Sequence, residues 1–257
     1  MNAPAARRRG GLVLVTVLAV LAFAVLVGLG TWQVQRLAWK EALIATVETR
    51  LAAAPVEPPP PSWTGLDLAD VDYLRVELSG RFLPGEALVY TVLSDARGPL
   101  RGPGYWVVSP FETDAGWIVL VNRGFVPVEG RGAAPHPAAP EGAVTLQGIL
   151  RGADPPGLFT PSPDLERKVW FVRDAAVLAP AFDLPPDRPL APYTIDAAAT
   201  LTPPGGLPQA GETRSLFPNS HLQYAVTWFG LALALVAVYG LFVIQHLRGG
   251  GHFGRHR

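Results

Sequence analysis

The sequence predicts a membrane α+β protein: two transmembrane helices flank an extracytoplasmic, mainly antiparallel β domain that is either a small barrel or a sandwich. The helices are predicted by two uncharged runs of 20 residues, Gly11–Gly30 and Ala225–Ile244. At ~1.5 Å per residue, each run is long enough to cross the ~30 Å hydrocarbon core of a bilayer. The β domain is predicted by short alternating apolar segments between these runs, which are separated by proline and glycine.

The distribution of charge excludes several classes of protein. Arg7–Arg9 precede the first run, Arg248, Arg255 and Arg257 follow the second, and all 21 acidic residues lie between the two runs. This acidic middle has no basic patch of the kind that binds nucleic acid, so we expect no nucleic-acid partner. The chain has no cysteine, which excludes disulfides, thiolate metal sites and a cysteine nucleophile.

The same charges predict how the chain crosses the membrane. The first run is longer than the apolar core of a signal peptide and no cleavage site follows it, which favours an uncleaved anchor. Arginines outside both runs predict cytoplasmic termini. The expected order is a cytoplasmic segment 1–10, a first span 11–30, an external domain 31–218, a second span 225–244 and a cytoplasmic tail 245–257.

The external domain begins with a helical continuation of the first span. Trp32, Arg36 and Trp39 have i, i+4, i+7 spacing, so they share one helix face just above the membrane. This face is either an interfacial belt against lipid headgroups or a docking surface for a partner or for the propionates of a haem. A proline-rich linker follows at 52–61.

Alternating segments after the linker predict the strands of the β domain. Gly98–Gly104 contains five glycines or prolines and is predicted to be a loop. Asp114–Gly116 predicts a hairpin turn, and a short helix is expected around Asp174–Pro180. The predicted strands are Tyr73–Phe82, Ala87–Leu93, Tyr105–Ser109, Trp117–Asn122, Val144–Arg151, Lys168–Arg173 and Tyr193–Asp196.

The external domain carries no recognisable catalytic set, so we expect that the protein is not an enzyme. The sequence has no nucleophile elbow, zinc-protease helix or phosphate loop. His136 lies in a proline–alanine loop and is expected to be solvated. Asn122-Arg123-Gly124 allows close approach of another group to Gly124, but a tight turn at a strand end is the commoner explanation.

His221 is the most distinctive ionisable residue, since it begins the second span at the membrane interface. Asn219 before it is a candidate helix cap. His221, Tyr224, Ala225 and Trp228 share one helix face, and the small Ala225 leaves room for a flat ligand. A neutral imidazole is a good axial ligand for haem iron, although an interfacial histidine can also bind only water or lipid headgroups. His246 lies too far along the same helix to share a ligand with His221.

Five motifs together resemble the Surfeit locus (Surf-one) family of cytochrome c oxidase assembly factors. The resemblance covers roughly residues 12–245, and Phe125 replaces a tryptophan that is common in the family. The motifs, in chain order, are LGTWQVQRLAWK at Leu29–Lys40, Gly80–Phe82, Gly104-Tyr105 with Ser109–Phe111, LVNRGFVP at Leu120–Pro127, and PNSHLQYAVTWFGLA at Pro218–Ala232.

The resemblance implies an assembly factor in the bacterial inner (plasma) membrane that binds haem a transiently and assists its delivery to oxidase subunit I. It implies that His221 is the axial ligand of the haem iron, with Tyr224, Trp228, Arg36 and Trp32 as possible contacts. Subunit I, haem A synthase and the lipid bilayer are the implied partners. The alternative is a cofactor-free scaffold that holds subunit I or haem A synthase through the external domain.

Overall fold

A computed structural model of the protein describes residues 3–130, 132–154, 156–213 and 219–249. Pro218 of the second-span motif and the predicted cytoplasmic tail from position 250 onward lie outside these described residues. The chain divides into two compact units. One contains the chain up to Thr46 together with the C-terminal helix, and the other begins at Val47 and contains the strands.

Two long helices are the candidate membrane spans, α1 at Ala3–Ala52 and α4 at His221–Gly249. With 50 and 29 residues, they are about 75 Å and 44 Å long, so each exceeds the thickness of a bilayer core. Their apolar stretches are almost entirely exposed, unlike those of a core helix in a water-soluble protein. A helix is typical of one surrounded by lipid when its side chains are apolar on all sides and largely exposed.

Over its described residues, the second unit is built on eight strands, two short α-helices, and two 3₁₀ helices at Ala179–Ala181 and Ala199–Leu201. α2 is Leu68–Val71 and α3 is Ala175–Leu178. The strands are β1 (Arg75–Phe82), β2 (Ala87–Leu93), β3 (Gly102–Thr113), β4 (Ile118–Glu129), β5 (Gly132–Ala133), β6 (Val144–Arg151), β7 (Val169–Trp170) and β8 (Leu190–Ala197).

Five of these strands close into a barrel. β1 pairs with β3, β3 with β4, β4 with β8, β8 with β6, and β6 again with β1. β2 pairs with the part of β3 that β1 leaves uncovered, and β7 extends β2. The β4–β8 and β2–β7 pairs are parallel, whereas the other strand pairs are antiparallel.

The pleat of the strands separates the hydrophobic core inside the ring from hydrophobic clusters outside it. Because successive side chains of a strand point to opposite faces, Val121 of β4 joins the cluster inside the ring, to which Val76, Phe111, Leu146 and Ile195 of the other ring strands also contribute. Leu120 points the other way and packs with residues of β2, β7 and α3, including Val89, Trp170 and Leu178. The barrel is therefore filled, and a second layer covers part of its outside.

The predicted fold class is confirmed, with a barrel rather than a sandwich. β2 and β6 have the predicted bounds, and α3 lies where a short helix was expected. The loop predicted over Gly98–Gly104 is wrong at its end, because β3 already begins at Gly102. Gly104 pairs with Thr91, and a side chain there would collide with Phe125 and Val126 of β4. This glycine permits a close approach of strands rather than a turn.

Candidate functional site

His221 is the first residue of α4, and its imidazole contacts α1. The backbone N–H of His221 lies 3.3 Å from Asn219 Oδ1, which agrees with the predicted capping role of Asn219. The side-chain Nδ1 lies 2.8 Å from Oε1 of Gln33. Gln33 is only 8% exposed, so the two side chains meet in a protein-covered part of the helix pair.

This hydrogen bond determines the tautomer of the imidazole. A carboxamide oxygen only accepts, so Nδ1 of His221 must donate its hydrogen to Gln33. In the neutral ring the lone pair is then on Nε2, and within the described residues Nε2 has no hydrogen-bond partner. His221 therefore presents a nitrogen that can bind a metal.

The other predicted residues on α4 have different environments. Ala225 is buried at 3% exposure, so the hypothesis that it lines open space for a flat ligand is wrong. Trp228 is half-buried, whereas Tyr224 is 52% exposed. The surface beside His221 that remains open is therefore aromatic and lies on the Tyr224 side.

The predicted residues on α1 lie beside Gln33 but take no part in its hydrogen bond with His221. Trp32 and Trp39 are about half exposed, and the guanidinium of Arg36 lies 3.9 Å from the ring centroid of Trp39. This cation–π contact holds Arg36 along the exposed side of α1. The contact therefore joins Arg36 and Trp39, two of the three residues of the predicted helix face.

Two further contacts fix the antiparallel register of α1 and α4. A Cβ at Gly30 would lie 2.8 Å from the ring of Phe229, so the missing side chain lets the helices approach closely. Deeper in the pair, Thr16 Oγ1 and Tyr239 Oη are 2.6 Å apart. These contacts place Gln33 opposite His221.

Sequence reasoning missed Gln33, although a signal was present. It lies three positions after the end of the first apolar run and is an uncharged polar residue between Trp32 and Val34. Polar side chains on a membrane-associated helix usually face a partner that satisfies their hydrogen bonds. The i, i+4, i+7 pattern of Trp32, Arg36 and Trp39 does not include Gln33.

Asn122 belongs to a buried charge network in the barrel unit. Asp196 accepts hydrogen bonds from Asn122 Nδ2 at 2.9 Å, Arg173 Nη1 at 2.6 Å and Thr213 Oγ1 at 2.9 Å. Burial alone would raise the pKa of Asp196, but Arg173 and Arg151, with these hydrogen bonds, lower it below its usual value. Asn122 therefore helps to stabilise and orient a buried carboxylate.

The turn predicted at Asn122–Gly124 is wrong, because these residues lie inside β4. The register against β3 shifts so that Val108 faces Asn122 and Val107 faces Gly124, which leaves Arg123 as the extra residue of a β-bulge. Gly124 has φ 136°, and its neighbour Phe125 exchanges two backbone hydrogen bonds with Gln209, each of 2.8 Å. The close approach that the sequence allowed is therefore made by the protein's own backbone.

His136 is half-buried rather than solvated, which corrects the sequence-based expectation. Its side chain is 8% exposed, with Nδ1 2.8 Å from the carbonyl oxygen of Ala134 and Nε2 3.3 Å from Glu86. Arg123 Nη2 donates to Pro137 of the same loop at 2.7 Å. The loop packs back on the barrel because these polar groups supply partners for one another.

The donor set suits a haem better than an isolated metal ion. The described residues contain no group of three or more histidine, aspartate or glutamate side chains that could hold an ion. A haem iron already has four equatorial nitrogen ligands and needs only an axial one. His221 Nε2, next to apolar helix surfaces, has the chemistry for that position.

The fold and this site define a class: a protein with two candidate membrane-spanning helices, a β-barrel unit, and a histidine at the start of the second candidate span whose Nε2 is able to bind a metal. Comparison with known proteins identifies the family. The sequence model of the SURF1 family matches residues 20–233, and the chain belongs to this family.

Curated relatives agree with this assignment. A SURF1-like protein of Monosiga brevicollis is 36% identical over 260 residues, which cover 97% of this chain and 94% of the relative. Surfeit locus protein 1 of Homo sapiens is 37% identical over 220 residues, covering 80% of this chain and 70% of the relative. A SURF1-like protein of Drosophila melanogaster is 34% identical over 221 residues, with the same coverage, 80% and 70%.

Proposed function

We propose that this protein binds haem a and assists its delivery to subunit I during the assembly of cytochrome c oxidase. Membership of the SURF1 family supports the role in cytochrome c oxidase assembly. The observation that carries the haem-binding part is the hydrogen bond from His221 Nδ1 to Gln33, because it leaves Nε2 for the iron.

When bound, haem a supplies an iron that needs an axial ligand, a flat apolar ring and two negatively charged propionates. His221 offers Nε2 to the iron, and Tyr224 and Trp228 offer aromatic surface on the same helix. Arg36, on the exposed side of α1, supplies a positive charge suited to a propionate, and Trp32 adds apolar surface beside it. These residues are held on two helices rather than on loops, which keeps their positions defined.

A single protein ligand suits a carrier that must release its cargo. A second strong axial ligand would add to the affinity and slow the release. The exposed position of Tyr224 and Trp32 supports lateral access from the lipid, along which a hydrophobic molecule can move. We propose subunit I as the recipient, haem A synthase as the donor, and a bacterial inner membrane as the location.

The function is non-catalytic in this proposal, because the protein holds haem and breaks no bond. The alternative is a cofactor-free scaffold that holds subunit I or haem A synthase. The exposed aromatic residues on α1 and α4 also support the scaffold, because a partner helix can pack on them. The two functions differ in whether the purified protein carries haem.

The experiment is a visible absorption spectrum of the detergent-purified full chain, produced in cells that also synthesise haem a. We expect a Soret band and an alpha band in the wild type, and at least a tenfold lower haem content in His221→Ala. His246→Ala is the matched control, since His246 lies on the same helix and stacks on Phe242 instead. It should retain the haem.

Two results would contradict the proposal. Equal haem content in His221→Ala and in the wild type would exclude His221 as the ligand. A colourless wild type would favour the scaffold and direct the search to partners of the barrel unit.

A further inference from the structure

We propose that Gln33 is a positioning residue for His221: it selects the imidazole tautomer that binds iron and sets the electron donation of that ligand. The inference rests on the proposed function, because it concerns the same site. It goes further in assigning to α1 a specific part in haem binding. Gln33 contacts His221 and need not contact the haem itself.

The first support is the burial of a carboxamide on a stretch of α1 whose neighbouring residues are exposed. Gln33 is 8% exposed, whereas its neighbours Trp32 and Val34 are about half exposed. Burying an amide without a hydrogen-bond partner is unfavourable. The carboxamide oxygen of Gln33 is satisfied by His221 across the helix pair, at 2.8 Å, so each side chain compensates the burial of the other.

The second support is that the hydrogen bond removes two kinds of freedom from the imidazole. The terminal torsion of a histidine side chain has a broad, roughly two-fold preference, so an unpartnered ring at the start of a helix would sample several orientations. A bond at Nδ1 fixes the ring plane and excludes the tautomer in which Nε2 carries the hydrogen. The iron-binding nitrogen is thereby prepared before haem arrives.

The third support is the chemical identity of the acceptor. Metal-bound histidines commonly donate their second N–H to a carboxylate, a backbone carbonyl or water, and a stronger acceptor raises the basicity of the ligand. A neutral amide oxygen is a weaker acceptor than a carboxylate. Gln33 therefore makes His221 a ligand of intermediate strength, which agrees with a site that must both hold and release haem.

The substitutions Gln33→Leu and Gln33→Glu separate this role from simple packing. The leucine side chain would remove the acceptor, while a carboxylate at the same place would strengthen it and increase the negative character of the imidazole. A more strongly donating axial ligand stabilises ferric iron and lowers the reduction potential, whereas a weaker ligand raises it. The two variants should thus shift the potential in opposite directions.

The experiment measures three quantities on the full chain in detergent. These are the haem a affinity, the reduction potential of the bound haem, and the tautomer of His221 from nitrogen-15 NMR of histidine-labelled protein without haem. We expect Gln33→Leu to weaken haem binding about 10-fold to 100-fold, to raise the potential and to lose the pure Nδ1–H tautomer. We expect Gln33→Glu to lower the potential and to keep that tautomer.

Gln35→Leu is the matched control, because Gln35 has the same side chain on the same helix but is exposed. It should leave all three quantities unchanged. The NMR signal of His221 is identified by its absence in His221→Ala.

The outcomes distinguish this inference from the proposed function. A wild type that binds haem through His221, with Gln33 variants that change neither tautomer nor potential, would overturn the inference alone. Shifts of the potential in the same direction for both variants would also overturn it, since loss of packing would explain them. A colourless wild type would overturn the proposed function, and the role of Gln33 at iron with it.

Discussion

His136 and Glu86 form a contact whose strength depends on the charge of both side chains. The hydrogen bond to Glu86 raises the pKa of His136, against the effect of burial. The same hydrogen bond lowers the pKa of Glu86. Protonated histidine and ionised glutamate therefore favour the folded barrel unit, and this pair ties the loop around His136 to the segment before β2.

The pair predicts a stability that depends on pH. A raised pKa means that the His136 contribution is fully present below about 6.5, the ordinary histidine value, and is lost as pH rises through the raised pKa. The contribution of Glu86 is present above about 4.5 and is lost as pH falls through the lowered pKa. We expect His136→Gln to lower the unfolding midpoint more at pH 5.5 than at pH 8.5, measured by tryptophan fluorescence.

Glu141→Gln serves as the control, because Glu141 is exposed near the same loop. Its effect on the midpoint should be small at both pH values. An equal effect of His136→Gln at the two pH values would mean that only the packing of the ring matters.

Single residues differ in how well the sequence predicts them. The capping role of Asn219 could be predicted, because it depends on neighbours in the sequence. The burial of His136 and the pairing of Gln33 with His221 depend on residues 50 and 188 positions away. Local composition carries no information about such distant partners, so a proline–alanine context suggested a solvated histidine.

At the level of elements, β4 is central to the architecture, since its first nine residues are all buried. Asn122 directs its amide to Asp196 of β8, and Arg123 binds the loop at Pro137. Gly124 lets the segment around Gln209 lie against the strand. The bulge places three consecutive residues against three different parts of the unit.

Gly124→Ala should therefore be strongly destabilising. The new Cβ would collide with the backbone of Gln209, and a φ of 136° is unfavourable for any residue with a side chain. We expect a loss of about 2–4 kcal/mol in the free energy of unfolding, from strain and displaced backbone together. Denaturant unfolding of the purified full chain gives this quantity.

Gly205→Ala provides the comparison, since a Cβ at Gly205 would meet nothing within 4 Å and its φ lies outside the positive region. It should change the free energy of unfolding by no more than about 0.5 kcal/mol. Similar stability for the two variants would show that the backbone at Gly124 can relax.

Elements were predictable where one face of the strand is apolar. β2 and β6 have buried residues only at alternating positions, and the sequence predicts their bounds as observed. The start of β3 and the bulge in β4 were mispredicted because glycine has two uses in a sheet: it makes turns, and it lets backbones approach closely. Only the neighbouring strands decide between these uses, and the sequence does not say which strands are neighbours.

For the whole molecule, helix length and charge together limit how the chain can cross a membrane. α1 has 50 residues, so a 20-residue span leaves a long helical extension on at least one side of the bilayer. Residues 31–52 of this extension contain Arg36, Lys40 and Arg50 as well as Glu41 and Glu48. The charged residues that precede the first apolar run are all arginines, so the positive-inside rule predicts that this end is cytoplasmic.

Labelling can test this topology cleanly, because the chain contains no cysteine. Ser62→Cys and Arg248→Cys each introduce one thiol at an exposed position, the first in the barrel unit and the second near the end of α4. In intact bacterial cells with a permeable outer layer, we expect a membrane-impermeant maleimide to label Ser62→Cys. It should label Arg248→Cys only after the inner membrane is opened, since the predicted topology puts the two positions on opposite sides. Labelling of Arg248→Cys in intact cells, with protection of Ser62→Cys, would instead place the barrel in the cytoplasm. Haem could then not be exchanged on the outer side of the membrane, where His221, at the N-terminal end of α4, is proposed to bind it.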